Sequence, residues 1–293
     1  MQSKKTVVLI HAFFILFSLL FVVPFLLVIA ISFSNEQDIM GGGYRLIPET
    51  IDFTAYGVVF SNPEQILQSY LVTIFISSFG TLASVLIMSL CAYPLSRTSF
   101  TWRNPITFFI FFTMLFGGGL IPSYILNTQY LGLGDSIWVY ILPSLANAFH
   151  IIIFRTFFQG LPVSVIESAK MDGAGEFRIY WQMILPISKP VIATLALLNV
   201  LGKWNEWFTA LIYIRNEDLY TLQYLLQRIL QKVEFIQQMA DEIPAGVDPA
   251  TFEVPTETVR FALAVVAAGP LLIVFPFFQK YFVRGLTIGS VKG

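Results

Sequence analysis

A chain of 293 residues that is 56% hydrophobic and only 12% charged is too apolar to fold as a water-soluble domain of that length. Its net charge of -1 excludes the basic footprint of a nucleic-acid binder. A single cysteine, Cys91, and two histidines, His11 and His150, all lie in apolar stretches. That rules out a disulfide scaffold and a cysteine-ligated metal cluster, offers no catalytic constellation, and predicts helical histidines packed against neighbours.

Six stretches are long enough to cross a bilayer core as helices, which takes about 20 residues. They run near 7–33, 70–95, 105–127, 136–158, 190–214 and 259–282. The first follows Lys4 and Lys5 but is too long for a signal peptide and lacks an A-x-A-like cleavage site. It reads as a retained helix, bent at Pro24. The fold class is therefore an all-α, polytopic membrane protein forming one transmembrane domain over 1–293. An even number of spans puts both termini on one side. That side, with the 97–103 loop and the 158–190 insert, holds eleven lysines and arginines against five on the other, Lys203 lying within a span. By the positive-inside rule these parts face the cytoplasm.

The insert 158–190 is a polar, helix-competent segment between two apolar ones. Pro162 suits the first turn of a short helix, and Gly173 suits its left-handed stop after Asp172. Val165, Ile166, Ala169 and Gly173 share a narrow face of mostly small residues, suited to a groove in another protein. Ser164, Glu167 and Lys170 take the opposite side. A second amphipathic piece, 176–183, ends at Leu185-Pro186.

The fifth span carries Asn199, Lys203, Trp204, Asn205, Glu206 and Trp207. Polar groups at membrane depth are costly and face a bundle interior or an aqueous cavity. Lys203 and Glu206, three apart, are placed to pair. Two readings stand: an ion pair that orients helices, or a sugar path to which Tyr124, Asn127 and Asn147 contribute and in which Lys203 suits an acidic sugar. On the outer side, Glu36, Asp38, Glu49, Asp52 and Glu64 in the first loop, Asp135 in the second, and Glu217, Asp218, Glu234, Asp241, Glu242, Asp248, Glu253 and Glu257 in the third make an acidic face, either solvated or a docking surface for a soluble partner. The long third outer loop, 215–257, holds an amphipathic helix with Leu222, Leu225, Leu226 and Ile229 on one face. A Pro/Asp/Glu-rich excursion over 239–255 follows it.

Glu167-Ser168-Ala169, Asp172-Gly173-Ala174, Ile184-Leu185-Pro186 and Pro190 resemble the EAA loop of ABC importer permeases, with Ser168 and Met183 as departures. The likeness continues through Phe116-Gly-Gly-Gly-Leu-Ile-Pro-Ser-Tyr, Gly132-Leu-Gly-Asp-Ser-Ile-Trp, Phe154-Arg-Thr-Phe-Phe, Trp204-Asn205 and Gly285-Leu-Thr-Ile-Gly-Ser-Val-Lys-Gly. These are similar to carbohydrate importer permeases of the branch named for lipoprotein-associated permease C, which handles plant and algal polysaccharide fragments, alginate among them. The resemblance implies six membrane helices in a type I ABC importer fold with a cytoplasmic coupling helix, in a bacterial inner membrane. It implies a second permease subunit, two ATP-binding subunits that carry ATP and magnesium, an extracytoplasmic solute-binding protein and a saccharide substrate. No cofactor, metal or catalytic residue is expected in this chain, which has no GxxxxGK[ST] phosphate loop. Glu167, Ser168, Ala169, Asp172, Gly173, Ala174, Leu185 and Pro186 are the residues it assigns to ATPase coupling, with the tail 286–293 reaching toward the ATPases. An ABC permease for another solute class, and a secondary transporter, remain alternatives.

Overall fold

A chain this apolar must satisfy its own backbone hydrogen bonds, so helix is the expected state wherever it meets lipid. The computed structural model describes residues 4–241 and 255–289. In chain order its helices are α1 (Lys4–Ser32), α2 (Glu36–Gly42), α3 (Thr54–Val59), α4 (Pro63–Ser96), α5 (Arg103–Leu115), α6 (Leu120–Ile125) and α7 (Ala148–Gln159). There follow α8 (Val163–Met171), α9 (Glu176–Ile179), α10 (Leu185–Ile187), α11 (Lys189–Trp204), α12 (Phe208–Tyr213), α13 (Leu222–Asp241) and α14 (Glu257–Gly289). One π-helical turn, Leu126–Tyr130, extends α6, and another, Tyr180–Ile184, joins α9 to α10.

Two described helices, α1 and α4, are long and apolar enough to cross a membrane unbroken. Three of the expected straight spans are broken instead. The 105–127 stretch divides into α5 and α6, whose axes turn by 114° at the glycine run 117–119. Gly119 adopts φ +85°, a conformation that a Cβ disfavours, so a glycine there permits the corner. The 136–158 stretch bends by 46° before α7, where the Asn147 side chain accepts from the His150 N–H and caps the new helix. The 190–214 stretch stops at Trp204 and restarts at Phe208. There the Glu206 carboxylate accepts from Thr209 N at 2.8 Å and its carbonyl accepts from Thr221 Oγ1 at 2.6 Å. Counting as single crossings the first two of these pairs and a third, Glu176–Ile187 with Lys189–Trp204, bent by 79°, gives up to five among the described residues, and α14 is a further helix of 33 residues.

The chain divides into two compact units, one of residues 1–66 and 225–270, the other of 67–224 and 271–293. In the first, Glu36 does an unexpected job for an outer acidic residue. Its carboxylate accepts from the backbone N–H groups of Thr256, Glu257 and Thr258 at 3.1, 2.8 and 2.9 Å and from the Thr258 hydroxyl at 2.7 Å. An anion at a helix N-terminus satisfies orphan donors and opposes the helix dipole, so Glu36 anchors the start of α14 from 220 residues away. Asp52 caps Thr54 and accepts from Asn35. Those bonds hold its carboxyl below the usual range. Asp38 accepts from Thr50, Glu49 pairs with Arg45, and Arg260 bridges Glu257 and Glu234. Glu36, Asp38, Glu49, Asp52, Glu234 and Glu257, all acids expected on an outer face, are thus spent on holding this unit together. In the same unit, Val7 to Val23 of α1 are exposed within the chain, and His11 is exposed where a packed histidine is expected.

The second unit is organised by α4. Its inward face is a seam of hydroxyls: Ser69, Thr73, Ser77, Thr81, Ser84 and Ser89, all buried and mostly four residues apart. Small side chains at that spacing let neighbouring backbones approach closely, as helix pairing in membranes requires. The seam also makes bonds: Thr73 accepts from Leu222 N at 2.8 Å, and Ser89 meets the Tyr180 hydroxyl at 2.7 Å. Below it, Met88, Ala92, Phe154, Phe158, Ile179 and Leu195 form a closed core. At the far end Asp135, left-handed at φ 55°, accepts from Arg215 N and Asn216 N at 2.9 and 2.8 Å, which holds its carboxyl below the ordinary range. The amphipathic helix expected in the 215–257 segment exists as α13, with Leu222, Leu225, Leu226 and Val233 buried and Ile229 half-buried. Most of the excursion expected over 239–255, and the tail beyond Gly289, lie outside the described residues.

Glu36→Ala strips four donors of their acceptor and is expected to destabilise the purified protein by about 1–3 kcal/mol, the cost of unsatisfied polar groups. Glu36→Gln, which keeps an acceptor, should cost less. Thermal unfolding of the two variants checks the order.

Candidate functional site

The 158–190 insert folds as the residues dictate. Pro162 has an extended ψ of 123° and stands just outside α8 as its N-cap, one position earlier than expected. At the other end Gly173 takes φ +77°; its N–H bonds to Lys170 O at 3.0 Å, and Ala174 N bonds to Ala169 O at 2.9 Å. This pair of bonds is a Schellman stop, which favours glycine at the left-handed position. A Cβ built on Gly173 meets nothing within 4 Å, so a larger residue there is opposed by backbone strain and not by its own chain.

One expectation is reversed. The face of Ile166 and Ala169 is turned inward, 5% and 1% exposed, and joins the core of the second unit. Those small residues fit α8 against its own chain and are not open to a partner's groove. Val163, Ser164, Glu167, Ser168, Lys170, Met171, Asp172 and Gly173 are exposed, Met171 at 88%. Ala174 and Leu185 are half-buried against the same core and Pro186 is exposed.

Two residues that the sequence does not single out tie α8 to α4. Glu176 receives a salt bridge from Lys170 at 2.7 Å and a hydrogen bond from the Tyr93 hydroxyl at 2.6 Å. Both hold its carboxyl below the usual range. A depressed value means the charged tie is complete above the ordinary carboxylate range and is lost only as pH falls through the lowered value, so it is fully formed at neutral pH. Lys170 and Glu176 are six apart and Tyr93 is 83 residues from Glu176, so no local spacing rule pairs them. Arg155 adds a bond from α7 to Leu95 O at 3.1 Å, sealing the end of α4.

The polar residues expected along a path fall into separate clusters. Tyr124 stacks on Tyr213 at 5.6 Å, and buried Asn127 donates to the Tyr213 hydroxyl at 3.2 Å. Asn199 lies 3.1 Å from His150 Nδ1, which is the packed histidine expected there. Asn147 is exposed; its side chain makes the capping bond and its N–H donates to Met88 Sδ at 3.4 Å. Lys203 does not pair with Glu206. It is 7% exposed and donates to Ser144 Oγ at 2.7 Å and Tyr140 O at 3.3 Å, while Glu206 turns away to cap α12. Gly80 makes the room: a Cβ there would lie 2.9 Å from Lys203 Cε. Trp204 is also buried, next to Tyr70 at 6.5 Å between centroids, whereas Asn205 and Trp207 are exposed.

Against known families, residues 3–288 match the model described as binding-protein-dependent transport system inner membrane component. The chain belongs to this family. As such a component it is a transporter subunit and not an enzyme. It is 40% identical over 293 residues, all of both chains, to the polygalacturonan/rhamnogalacturonan transport system permease protein YtcP of Bacillus subtilis (strain 168). It is 39% identical over 272 residues, 93% of this chain and 90% of the other, to Protein LplC of the same strain. Among solved structures it resembles a chain of a bacterial ABC transporter involved in the import of the acidic polysaccharide alginate. The TM-score is 0.76 at 32% identity, over 96% of this chain and 99% of that one. The broken helices above thus belong to the permease fold of ABC importers.

In this inner membrane component, cysteine at position 205 is expected to react with a small water-soluble thiol reagent and cysteine at 203 to stay inert. Equal labelling of the two would mean that Lys203 lines open water and is not a packed donor.

Proposed function

We propose that this chain is a permease subunit of an ATP-driven, binding-protein-dependent importer of oligo- or polysaccharide fragments, acidic ones such as pectin- or alginate-derived pieces included. The observation that carries it is a nine-residue helix, α8, with an exposed polar face and a glycine stop, set in a chain that is like saccharide permeases from end to end. Six crossings, with α14 as the last and both termini in the cytoplasm, account for the basic residues around α8. Two ATP-binding subunits, a second permease and an extracytoplasmic binding protein complete the assembly, ATP and magnesium residing on the former.

Coupling follows from rigidity. The exposed Glu167, Ser168, Asp172 and Gly173 meet an ATPase cleft, with Glu167 anchored by a charge-assisted bond to a basic partner residue. Ala169, Ala174, Leu185 and Pro186 transmit the motion from the inner side, through their own core. Closure of the ATPases shifts a two-state equilibrium of the membrane helices, and hydrolysis resets it. The solute path draws on Tyr124, Asn147, Asn205 and Glu206, with the buried Asn127, Lys203 and Trp204 and the half-buried Asn199 shaping its wall.

Gly173→Leu and Glu167→Lys should each abolish most saccharide uptake while the permease still reaches the membrane. Normal uptake by both would remove α8 from coupling. Stimulation of the purified complex's ATPase by loaded binding protein, measured across pectin, alginate and maltose-type oligosaccharides, identifies the solute class.

A further inference from the structure

A cavity of about 450 Å³ opens beside the end of α4 and is lined chiefly by Leu90, Pro94, Arg97, Phe100, Phe177 and Tyr180, with Tyr93, Glu176 and Ser99 completing it. Its walls are apolar except at one end. There the Arg97 guanidinium lies over the Tyr93 ring, 4.5 Å from its centroid; it feels the Tyr93 hydroxyl and the Glu176 charge, but its Nε and Nη2 are buried and make no hydrogen bond of good geometry among the described residues. A stranded donor on a charged group is costly, so the site is incomplete as the chain stands alone. The carboxylate in the same wall does not complete it. Glu176 is taken up by Lys170 at 2.7 Å and by the Tyr93 hydroxyl at 2.6 Å.

From this we infer that the cavity holds an anionic phospholipid, its phosphate accepting from Arg97 and its first acyl methylenes running along Leu90, Pro94 and Phe100. A flat, five-donor guanidinium suits a phosphate's oxygens, and an apolar wall suits hydrocarbon but no soluble anion. One wall carries the marks of a membrane interface: Phe177 is 71% exposed and meets Trp181, 41% exposed, edge to face at 6.0 Å, and aromatic rings of this kind settle at headgroup level. Placing the lipid in the cytoplasmic leaflet rests on the proposed orientation; the occupant itself does not. Because Tyr93 touches both Arg97 and Glu176, the lipid would also brace the link between α4 and α8.

The test is native mass spectrometry of the full chain purified in its complex, in detergent doped with equal dioleoylphosphatidylglycerol and dioleoylphosphatidylcholine. One phosphatidylglycerol per chain should be retained in preference to phosphatidylcholine. Arg97→Gln should weaken that retention about tenfold, the value of one charge-assisted hydrogen bond. Leu90→Trp, which leaves Arg97 in place and fills the apolar wall, should lose the same single equivalent. Equal retention by wild type and both variants overturns the inference. So does displacement of the lipid by inorganic phosphate, which marks a soluble-anion site, or crosslinking of Ser99→Cys to a partner subunit, which marks a protein contact. Saccharide uptake is scored separately, so a lipid that binds in a chain that fails to import leaves the two readings distinguishable.

Discussion

Inside a bilayer no water is available to rescue a broken helix, and every N–H and C=O released at a break must find a partner within the protein. That constraint explains where this chain keeps its polar residues. The restart of the 136–158 segment is capped by Asn147 and that of the 190–214 segment by Glu206. Lys203 takes up the Tyr140 carbonyl, and Asp135 takes up Arg215 N and Asn216 N beyond the end of α12. Polar groups in apolar stretches suggest a solute path when read in isolation. In three dimensions Asn147, Lys203 and Glu206 first make the breaks chemically tolerable.

The breaks in turn divide the chain into short helical segments joined at defined corners. A straight helix transmits motion along its axis only, whereas a helix cut at a glycine corner or a capped restart has two halves that shift by different amounts. The 79° bend between the α9–α10 segment and α11 puts one such joint at Ser188, between the short helices after α8 and the long α11. α8 is joined to the α4 end by the Lys170–Glu176–Tyr93 chain and to the inner core by Ile166 and Ala169. Rigid local contacts and few, defined joints are what a two-state transporter needs.

The hydroxyl seam of α4 is the complement of this arrangement. Helices in lipid gain nothing from burying leucine against leucine, so close approach of backbones and scattered hydrogen bonds must hold them together. Ser69, Thr73, Ser77, Thr81 and Ser84 provide a flat track, and Gly80 opens the one gap through which the Lys203 stem passes. A hydropathy profile sees in this helix only a long apolar run. The four-residue spacing of its serines and threonines is the sequence signal that marks the inward face.

The sequence alone determined the class of the molecule, because the length and apolarity of its segments leave helix in lipid as the physically allowed state. It determined α8 as well, since a Pro–helix–Gly grammar is local: the φ of Gly173 follows from what its neighbours require. The tertiary structure decided which way α8 faces, turning Ile166 and Ala169 inward, because helical periodicity marks a face without saying what covers it. It also decided the partners of charge. Lys203 and Glu206 are three apart and Lys170 and Glu176 six, yet only the second pair forms, and Glu36 finds its donors 220 residues away. Such choices depend on where a helix breaks and which carbonyls the break releases, and those are settled only when distant segments meet.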